Sequence, residues 1–304
     1  MQLIKGTTDF MLDGACAAAI GKFDGIHRGH QALLANILER KKRGLLSAVF
    51  TFDPTPTAFF GKAAVRELTT REEKRRIFRR LGVDVLIEFP LCAETASMPP
   101  ETFIEEILAG RMRAAYVAAG TDVTFGKNGA GDGAMLTACG KRLGFSVDII
   151  DKVCVDGREI SSSRIREELQ AGHMEAVQEL IGFPYSVTGD VVHGKQIGRT
   201  IGMPTVNLLP PGDKLLPPRG VYFSNVSYNG KHYRSISNIG CKPTVSAERV
   251  MGVETYLYDF HEEIYGREIT VNLLKFKRPE KKFDSVESLK KQLETDIAEG
   301  KMVN

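Results

Sequence analysis

The stretch Gly21-Lys22-Phe23-Asp24-Gly25-Ile26-His27-Arg28-Gly29-His30 joins a short apolar run to an amphipathic segment. The run 15–20 before it has the composition of a buried strand, and residues 30–43 after it have helical periodicity. At such a strand-to-helix junction, free backbone N–H groups and the positive end of the helix dipole favour the binding of a phosphate group. The stretch therefore predicts an α/β fold with a phosphate site at its first crossover.

The same alternation of strand and helix continues outward from this stretch through about residue 182. Thr70 followed by Glu73 is a capping box, which predicts that a helix begins at residue 71. This alternation predicts a Rossmann-like, doubly wound parallel sheet whose ligand site lies at the carboxyl ends of its strands. The predicted strands are 46–52, 83–89, 114–119 and 146–150, and the predicted helices are 71–81, 101–108, 134–143 and 163–169.

After Pro184 the pattern changes to short β segments and tight turns. Asn229-Gly230 lies between two β-rich runs and is a strong hairpin signal, because both residues tolerate a positive φ. Asp284 and Glu287 predict the start of a last helix over 285–299. We expect a small antiparallel β-barrel with a C-terminal helix, and domains 1–183 and 184–304. The predicted strands are 185–193, 221–228, 231–238, 252–260 and 268–276.

Composition narrows the class of protein. The 304 residues are 42% hydrophobic and 26% charged, which is typical of a soluble globular protein and excludes a disordered chain. A net charge of +3 is far below the basic excess of a nucleic-acid-binding protein. Five widely spaced cysteines, with no signal peptide and no membrane span, predict a cytoplasmic protein. We expect small-molecule substrates, no nucleic acid or membrane partner, and a monomer or weak homo-oligomer.

His27 and His30 are the candidate catalytic side chains of the first site. Their spacing places them on one face of the first helical turn, and Gly29 between them would let a ligand approach the backbone. Two imidazoles there can donate hydrogen bonds to a phosphate that gains charge, and nothing nearby offers a covalent nucleophile. We assign nucleotide binding to the rest of the loop, through Gly21, Phe23, Asp24, Gly25 and Gly29.

A second phosphate site is predicted over residues 192–207. Its three glycines and two cations, Gly194, Lys195, Gly198, Arg199 and Gly202, suit a nucleotide polyphosphate. Thr205 and Asn207 are separated by one residue in an extended segment, so their oxygens point the same way. Neutral oxygens of this kind suit Mg²⁺ when water and nucleotide phosphates complete its shell.

The decamer 21–30 resembles the G-x-F-D-G-x-H-x-G-H signature of the prokaryotic bifunctional riboflavin kinase/FMN adenylyltransferase family. Residues 160–166, Ile-Ser-Ser-Ser-Arg-Ile-Arg, are similar to its ISSTxIR signature, with Ser163 in place of Thr. Residues 120–126 are similar to its G-x-[DN]-F-x-F-G loop, and residues 194–207 to its kinase motif G-x-x-x-G-R-x-x-G-x-P-T-A-N. Residues 238–244 and 253–260 are similar to N-I-G-x-x-P-T and V-E-x-H-x-x-D-F.

The resemblance implies a role for each matching residue. Glu254 would be the general base for the riboflavin hydroxyl, and Arg166 would act with the two histidines on phosphate. Ser162, Ser163 and Arg164 would bind nucleotide, and Asp122 and Phe125 would bind flavin. ATP would be the co-substrate, FMN and FAD the intermediate and product, and Mg²⁺ the cofactor.

Two departures from the family pattern leave alternatives open. Thr55 stands where the family usually has histidine, in F-x-P-H-P, and Val123 stands where it has phenylalanine. One alternative is therefore a riboflavin kinase with a weak or inactive adenylyltransferase. Another is a non-catalytic flavin or nucleotide binder. A third, a cytidylyltransferase or pantetheine-phosphate adenylyltransferase, explains residues 15–166 and leaves the second domain unexplained.

Overall fold

The computed structural model of the chain describes residues 1–61, 66–194, 198, 202–243 and 249–302. Its contacts divide the chain into an N-terminal unit, Met1–Ser162, and a C-terminal unit, Ser163–Asn304. Among the described residues, no helix is long and apolar enough to cross a bilayer.

The N-terminal unit is a parallel six-stranded sheet with helices on both faces, as the alternation predicts. Its strands are β1 (Gln2–Lys5), β2 (Cys16–Ile20), β3 (Leu46–Asp53), β4 (Val85–Pro90), β5 (Ala114–Gly120) and β6 (Ser146–Ile150), with a small hairpin of β7 (Cys154–Val155) and β8 (Arg158–Glu159). Its helices are α1 (Arg28–Lys41), α2 (Pro56–Phe60), α3 (Arg71–Leu81), α4 (Ala93–Ala96), α5 (Pro100–Thr102), a π-helix (Phe103–Arg111), a 3₁₀ turn (Lys127–Gly129) and α6 (Gly133–Leu143).

The strand order is β1-β4-β3-β2-β5-β6, and the order reverses beside β2. Alternate residues of β2 enter two different apolar layers. Cys16, Ala18 and Ile20 pack with the π-helix and α6, whereas Ala17 and Ala19 pack with α1 and α3. This period of two is the reason a single strand can support helices on both faces. The carboxyl end of β2 therefore opens at the switch point, where α/β sheets bind ligands.

The C-terminal unit is a closed antiparallel barrel in the order β10-β13-β12-β11-β14-β9, as predicted. Asn229 and Gly230 have φ values of 47° and 72°, which confirms the predicted turn between β11 and β12. The strands are β9 (Tyr185–Val192), β10 (Val206–Leu208), β11 (Gly220–Tyr228), β12 (Lys231–Pro243), β13 (Arg249–Leu257) and β14 (Glu268–Pro279), and the helices are α7 (Ser162–Ala171), α8 (Met174–Ile181) and α9 (Val286–Gly300).

Several local predictions were wrong or incomplete. The last helix is capped by Ser285, whose hydroxyl accepts from the Ser288 backbone N–H at 3.1 Å, and not by Asp284 with Glu287. The predicted helix 101–108 is a short α-turn followed by a π-helix. We also did not predict the edge strand β1, which pairs with β4 and has only two apolar residues, Leu3 and Ile4, between Gln2 and Lys5.

The predicted domain boundary at 183/184 and the division by contacts at 162/163 differ by the helices α7 and α8. These helices pack within the C-terminal unit. Lys275 of β14 forms an ion pair with Glu175 of α8 at 3.0 Å, and Gly172 lies against the ring of Phe276. The boundary at 183/184 stays a prediction.

Candidate functional sites

The loop between β2 and α1, residues 21–27, is tightly folded. Phe23, Gly25 and Ile26 all adopt positive φ, at 50°, 86° and 40°. A Cβ at Gly25 would lie 3.0 Å from Leu68, so this glycine allows a close approach as well as the backbone conformation. The loop is therefore held in a strained shape that presents the first turn of α1.

His27 and His30 come together as the spacing predicts. Their rings stack with centroids 3.7 Å apart, and Phe23 packs on His30 with centroids 5.1 Å apart. His27 caps α1 by accepting the His30 backbone N–H on Nδ1 at 3.4 Å. Because Nδ1 is the acceptor, the proton of neutral His27 is on Nε2, which can donate to a ligand.

Both histidines are electrically neutral near pH 7. Burial lowers the pKa of His27 to about 4, although Asp24 and Asp122 oppose this shift. Burial also lowers the pKa of His30 well below its usual range, and the charges of His27 and Lys74 lower it further. The pair therefore offers N–H donors to a phosphate but brings no net positive charge to it.

Other loop residues have structural partners that the sequence did not reveal. The Asp24 carboxylate accepts the backbone N–H groups of Leu68 and Thr69 at 2.8 and 3.3 Å, and its carbonyl accepts the Ser162 hydroxyl at 2.9 Å. A Cβ at Gly29 would lie 3.2 Å from the His27 ring. This glycine therefore makes room for the imidazole, and its role in letting a ligand approach the backbone stays a prediction.

The residues predicted to bind flavin lie in different environments. Asp122 is exposed, with Lys152 3.6 Å from its carboxylate. Phe125 is only 3% exposed and packs against Phe103 in the core, with ring centroids 5.5 Å apart. Thr55, at one of the two departures, caps α2 by accepting the Ala58 backbone N–H at 3.4 Å. The flavin roles of Asp122 and Phe125 stay predictions.

As the contacts divide the chain, Ser162 is the last residue of the N-terminal unit, and the other predicted residues of α7 belong to the C-terminal unit. Ser162, Ser163, Arg164 and Arg166 all lie in the first half of this helix. The hydroxyls and guanidinium groups thus have the helical placement that the signature implies, and their role beside the histidines stays a prediction.

In the C-terminal unit, three predicted residues converge on neighbouring strands. The Thr205 hydroxyl donates to Oε1 of Glu254 at 2.6 Å. Asn207 of β10 is the direct cross-strand partner of Glu254 on β13, so the two side chains share a face of the barrel. Asn238 of β12 flanks Glu254 on its other side. A carboxylate and two amides therefore share one face of the barrel wall, with the Thr205 hydroxyl bonded to the carboxylate.

The glycines of the segment 192–207 allow the chain to pack closely around Asn207 and its neighbours. A Cβ at Gly194 would overlap the side-chain amide of Asn207, and one at Gly198 would overlap the carbonyl of Met203. Gly202 has a φ of 80°. His193, next to Gly194, stacks on Tyr265 with ring centroids 3.8 Å apart, a contact that no sequence pattern predicted. Lys195 and Arg199, two predicted nucleotide-binding residues, lie outside the described residues.

The sequence analysis also missed a buried ion pair near the first site. Lys74 of α3 is 6% exposed, and its ammonium lies 2.9 Å from the Glu67 carboxylate. A signal was available, because Lys74 lies one helical turn before the buried Phe78 and therefore on the apolar face of α3.

The neutral histidines make a pH-dependent contribution to stability. Unfolded His27 takes up a proton below about pH 6.5, whereas the folded chain resists protonation down to about pH 4. The free energy of unfolding should therefore fall as the pH drops through this window, by up to about 3 kcal/mol from His27 at the acid end. His30 acts in the same direction.

Denaturant unfolding between pH 7.5 and 4 measures this effect. His27→Asn, which retains a helix cap, should show a shallower loss of stability with acidification than the parent protein. His173→Asn is the control, because that side chain is 65% exposed. Parallel curves for the parent protein and His27→Asn would contradict the assignment.

The two sites define the class of protein, a two-domain nucleotide-dependent transferase. A family model described as FAD synthetase matches residues 10–164, and one described as riboflavin kinase matches residues 181–303. The chain belongs to the family of bifunctional riboflavin kinase/FMN adenylyltransferases, which are ATP-dependent enzymes of flavin cofactor synthesis.

Individual relatives are similar in sequence to this chain over nearly its whole length. The bifunctional riboflavin kinase/FMN adenylyltransferase of Listeria monocytogenes is 37% identical over 295 residues, covering 95% of this chain and 93% of that protein. The protein of the same name from Escherichia coli strain K12 is 36% identical, covering 97% and 96%. A crystal structure titled as a macrolide-efflux protein from Streptococcus pneumoniae matches with a TM-score of 0.85 and 30% identity over 97% of each chain.

Proposed function

We propose that the C-terminal unit phosphorylates riboflavin to FMN and that the N-terminal unit then adenylylates FMN to FAD. The observation that carries the first step is the hydrogen bond from Thr205 to Glu254, with Asn207 beside them. The observation that carries the second is the stacked histidine pair at the start of α1. Each step has its own ATP and its own site.

In the kinase step, Glu254 accepts the proton of the riboflavin 5′-hydroxyl. The hydroxyl oxygen forms a bond to the γ-phosphorus of ATP as the bond between that phosphorus and the bridging oxygen breaks, and ADP leaves. The Thr205 hydroxyl holds one carboxylate oxygen of Glu254. The other oxygen is thereby oriented for the incoming hydroxyl. Gly194, Gly198 and Gly202, with Lys195 and Arg199, would bind the ATP phosphates.

The oxygen donors in this site fit Mg²⁺. Thr205 and Asn207 offer a hydroxyl and an amide oxygen beside a carboxylate, and Asn207 is 6% exposed. Within the described part of the chain, no cluster of three or more histidine, cysteine or acidic residues could hold a metal. Thr205 and Asn207 would hold the ion, which would neutralise charge on the ATP phosphates.

In the adenylyltransferase step, a phosphate oxygen of FMN attacks the α-phosphorus of ATP. The new P–O bond forms as the bond to the pyrophosphate oxygen breaks, and FAD and pyrophosphate leave. His27 and His30 donate hydrogen bonds to the phosphate oxygens, and Arg166 would add positive charge. Gly21, Phe23, Asp24, Gly25, Gly29, Ser162, Ser163 and Arg164 would shape the nucleotide site, and Asp122 and Phe125 the flavin site.

We also propose a cytoplasmic location and small molecules as the only substrates. All five cysteines are free thiols, which is consistent with a reducing compartment. We also propose domains 1–183 and 184–304; the two matched family models cover residues 10–164 and 181–303.

Separation of the products formed from riboflavin, ATP and Mg²⁺ tests the proposed function. We expect FMN to appear first and FAD to follow, with pyrophosphate released only in the second step. Accumulation of FMN without FAD would instead support the kinase with an inactive adenylyltransferase, in which Thr55 and Val123 matter. Flavin binding without either product would support the non-catalytic binder.

A further inference from the structure

We propose that Lys74 binds a substrate phosphate in the adenylyltransferase site, taking it in exchange for Glu67. This inference rests on the proposed function of the N-terminal unit and adds a residue to it. Neither Lys74 nor Glu67 belongs to a motif that the sequence analysis singled out.

Lys74 lines a pocket at the carboxyl ends of β3 and β4. Thr51 and Asp53 of β3, Phe78 of α3 and Glu88 of β4 form other parts of its wall. Ligands of doubly wound sheets bind at this edge. Lys74 therefore lies at the edge of the sheet where a substrate of this fold is expected.

Residues of this pocket contact the loop between β2 and α1, which leads to the two histidines. The Thr51 hydroxyl donates to the carbonyl of Lys22 at 3.5 Å, and the Phe78 ring packs edge-on against Phe23 with centroids 5.5 Å apart. Phe23 in turn packs on His30. The segment that carries Glu67 is attached to the same loop, because the Gly25 backbone N–H donates to the Thr69 hydroxyl at 3.0 Å.

A buried ion pair between Lys74 and Glu67 has no obvious value for stability alone. The two side chains are 7% and 13% exposed, so both charges have lost most of their hydration. Such pairs are often no more stabilising than apolar residues of similar size. A phosphate that replaced Glu67 would keep the ammonium group of Lys74 paired, and the displaced Glu67 carboxylate, the more exposed of the two groups, would turn to solvent.

The histidines leave a role for such a cation. Because burial keeps His27 and His30 uncharged, the negative charge of a phosphate beside them needs cationic partners, and Lys74 would act in addition to Arg166. Lys74 is close enough to His30 for its charge to lower the pKa of that imidazole. A lysine ammonium is a compact point charge that suits phosphate.

Direct binding measurements by calorimetry test the proposal without requiring turnover. The probes are inorganic pyrophosphate, which represents the nucleotide phosphates, and FMN, which carries the flavin phosphate. The C-terminal unit is identical in all variants, so any difference between isotherms belongs to the N-terminal unit. A change with pyrophosphate alone would assign Lys74 to the nucleotide, and a change with FMN alone would assign it to the flavin.

We expect Lys74→Gln to weaken the binding of one of these two probes by about 10- to 100-fold. This is the usual contribution of a hydrogen bond to a charged group. Glu67→Gln should tighten the same probe, because it removes the competing carboxylate. The double variant Lys74→Gln/Glu67→Gln keeps two side chains of similar size without a buried unpaired charge. It should fold like the parent protein and bind as weakly as Lys74→Gln.

Arg80→Gln is the matched control. Arg80 is a cation of the same helix α3, but it is exposed and does not line the pocket. It should leave both affinities unchanged. Parent-like affinities in the folded double variant, or equal weakening by Glu67→Gln and Lys74→Gln, would overturn the proposal. Failure of the parent protein to form FAD would instead contradict the proposed function.

Discussion

Glu254→Gln should lower riboflavin phosphorylation by about 10²- to 10⁴-fold, the usual contribution of a general base. Glutamine has the size of glutamate and keeps an oxygen that accepts the Thr205 hydroxyl, which the structure places at 2.6 Å. It cannot accept the proton of the attacking hydroxyl. Geometry is therefore retained while the proton acceptor is lost.

Two measurements on the same purified protein make this result specific. Adenylylation of supplied FMN should be unchanged, because His27 and His30 lie in the other unit. Glu262→Gln, an exposed change after β13, should leave phosphorylation at the parent rate. Normal phosphorylation by Glu254→Gln would exclude Glu254 as the base, and loss of both activities in a folded protein would contradict two independent sites.

His30→Ala should produce the converse result, with FAD formation from FMN lowered by about 10²- to 10³-fold and riboflavin phosphorylation retained. The physical reason is the loss of a preorganised donor. His30 stacks on His27 and packs against Phe23, so its ring is held in place before substrate binds. Water that enters in its place has no such fixed orientation.

Because His30 lies in a packed cluster, His30→Gln accompanies the alanine variant. Glutamine fills more of the space and offers an amide N–H donor, so it should recover part of the FAD-forming activity. Thermal unfolding of both variants separates a loss of donor from a loss of fold. Unchanged FAD formation by folded His30→Ala would exclude His30 from the transition state.

Much of the fold was predictable because its signals are local. The capping box of Thr70 and Glu73 marked the start of α3, and both of its reciprocal hydrogen bonds are present. Asn229 and Gly230 tolerate positive φ, so the turn between β11 and β12 could be predicted from two residues. Both features depend only on residues that are close together in the chain, so the sequence is enough to predict them.

Other features depend on partners far along the chain. Gly29 makes room for the His27 imidazole, and Phe125 packs in the core, and neither contact could be predicted from the motif. Ser285 caps the last helix although Asp284 is also a good capping residue. Local pattern cannot choose between such alternatives, because burial and competing hydrogen bonds decide them.

The two-domain organisation, the sheet and barrel classes, and the histidine and glutamate motifs of the two sites can all be predicted from the amino-acid sequence alone. Periodicity, capping residues and fixed motif spacing are properties of neighbouring residues. The protonation of the histidines, and the pairing of Thr205 with Glu254 and of Lys74 with Glu67, become visible only in the folded chain. Desolvation and long-range contact set these properties, and both arise only when distant segments pack together.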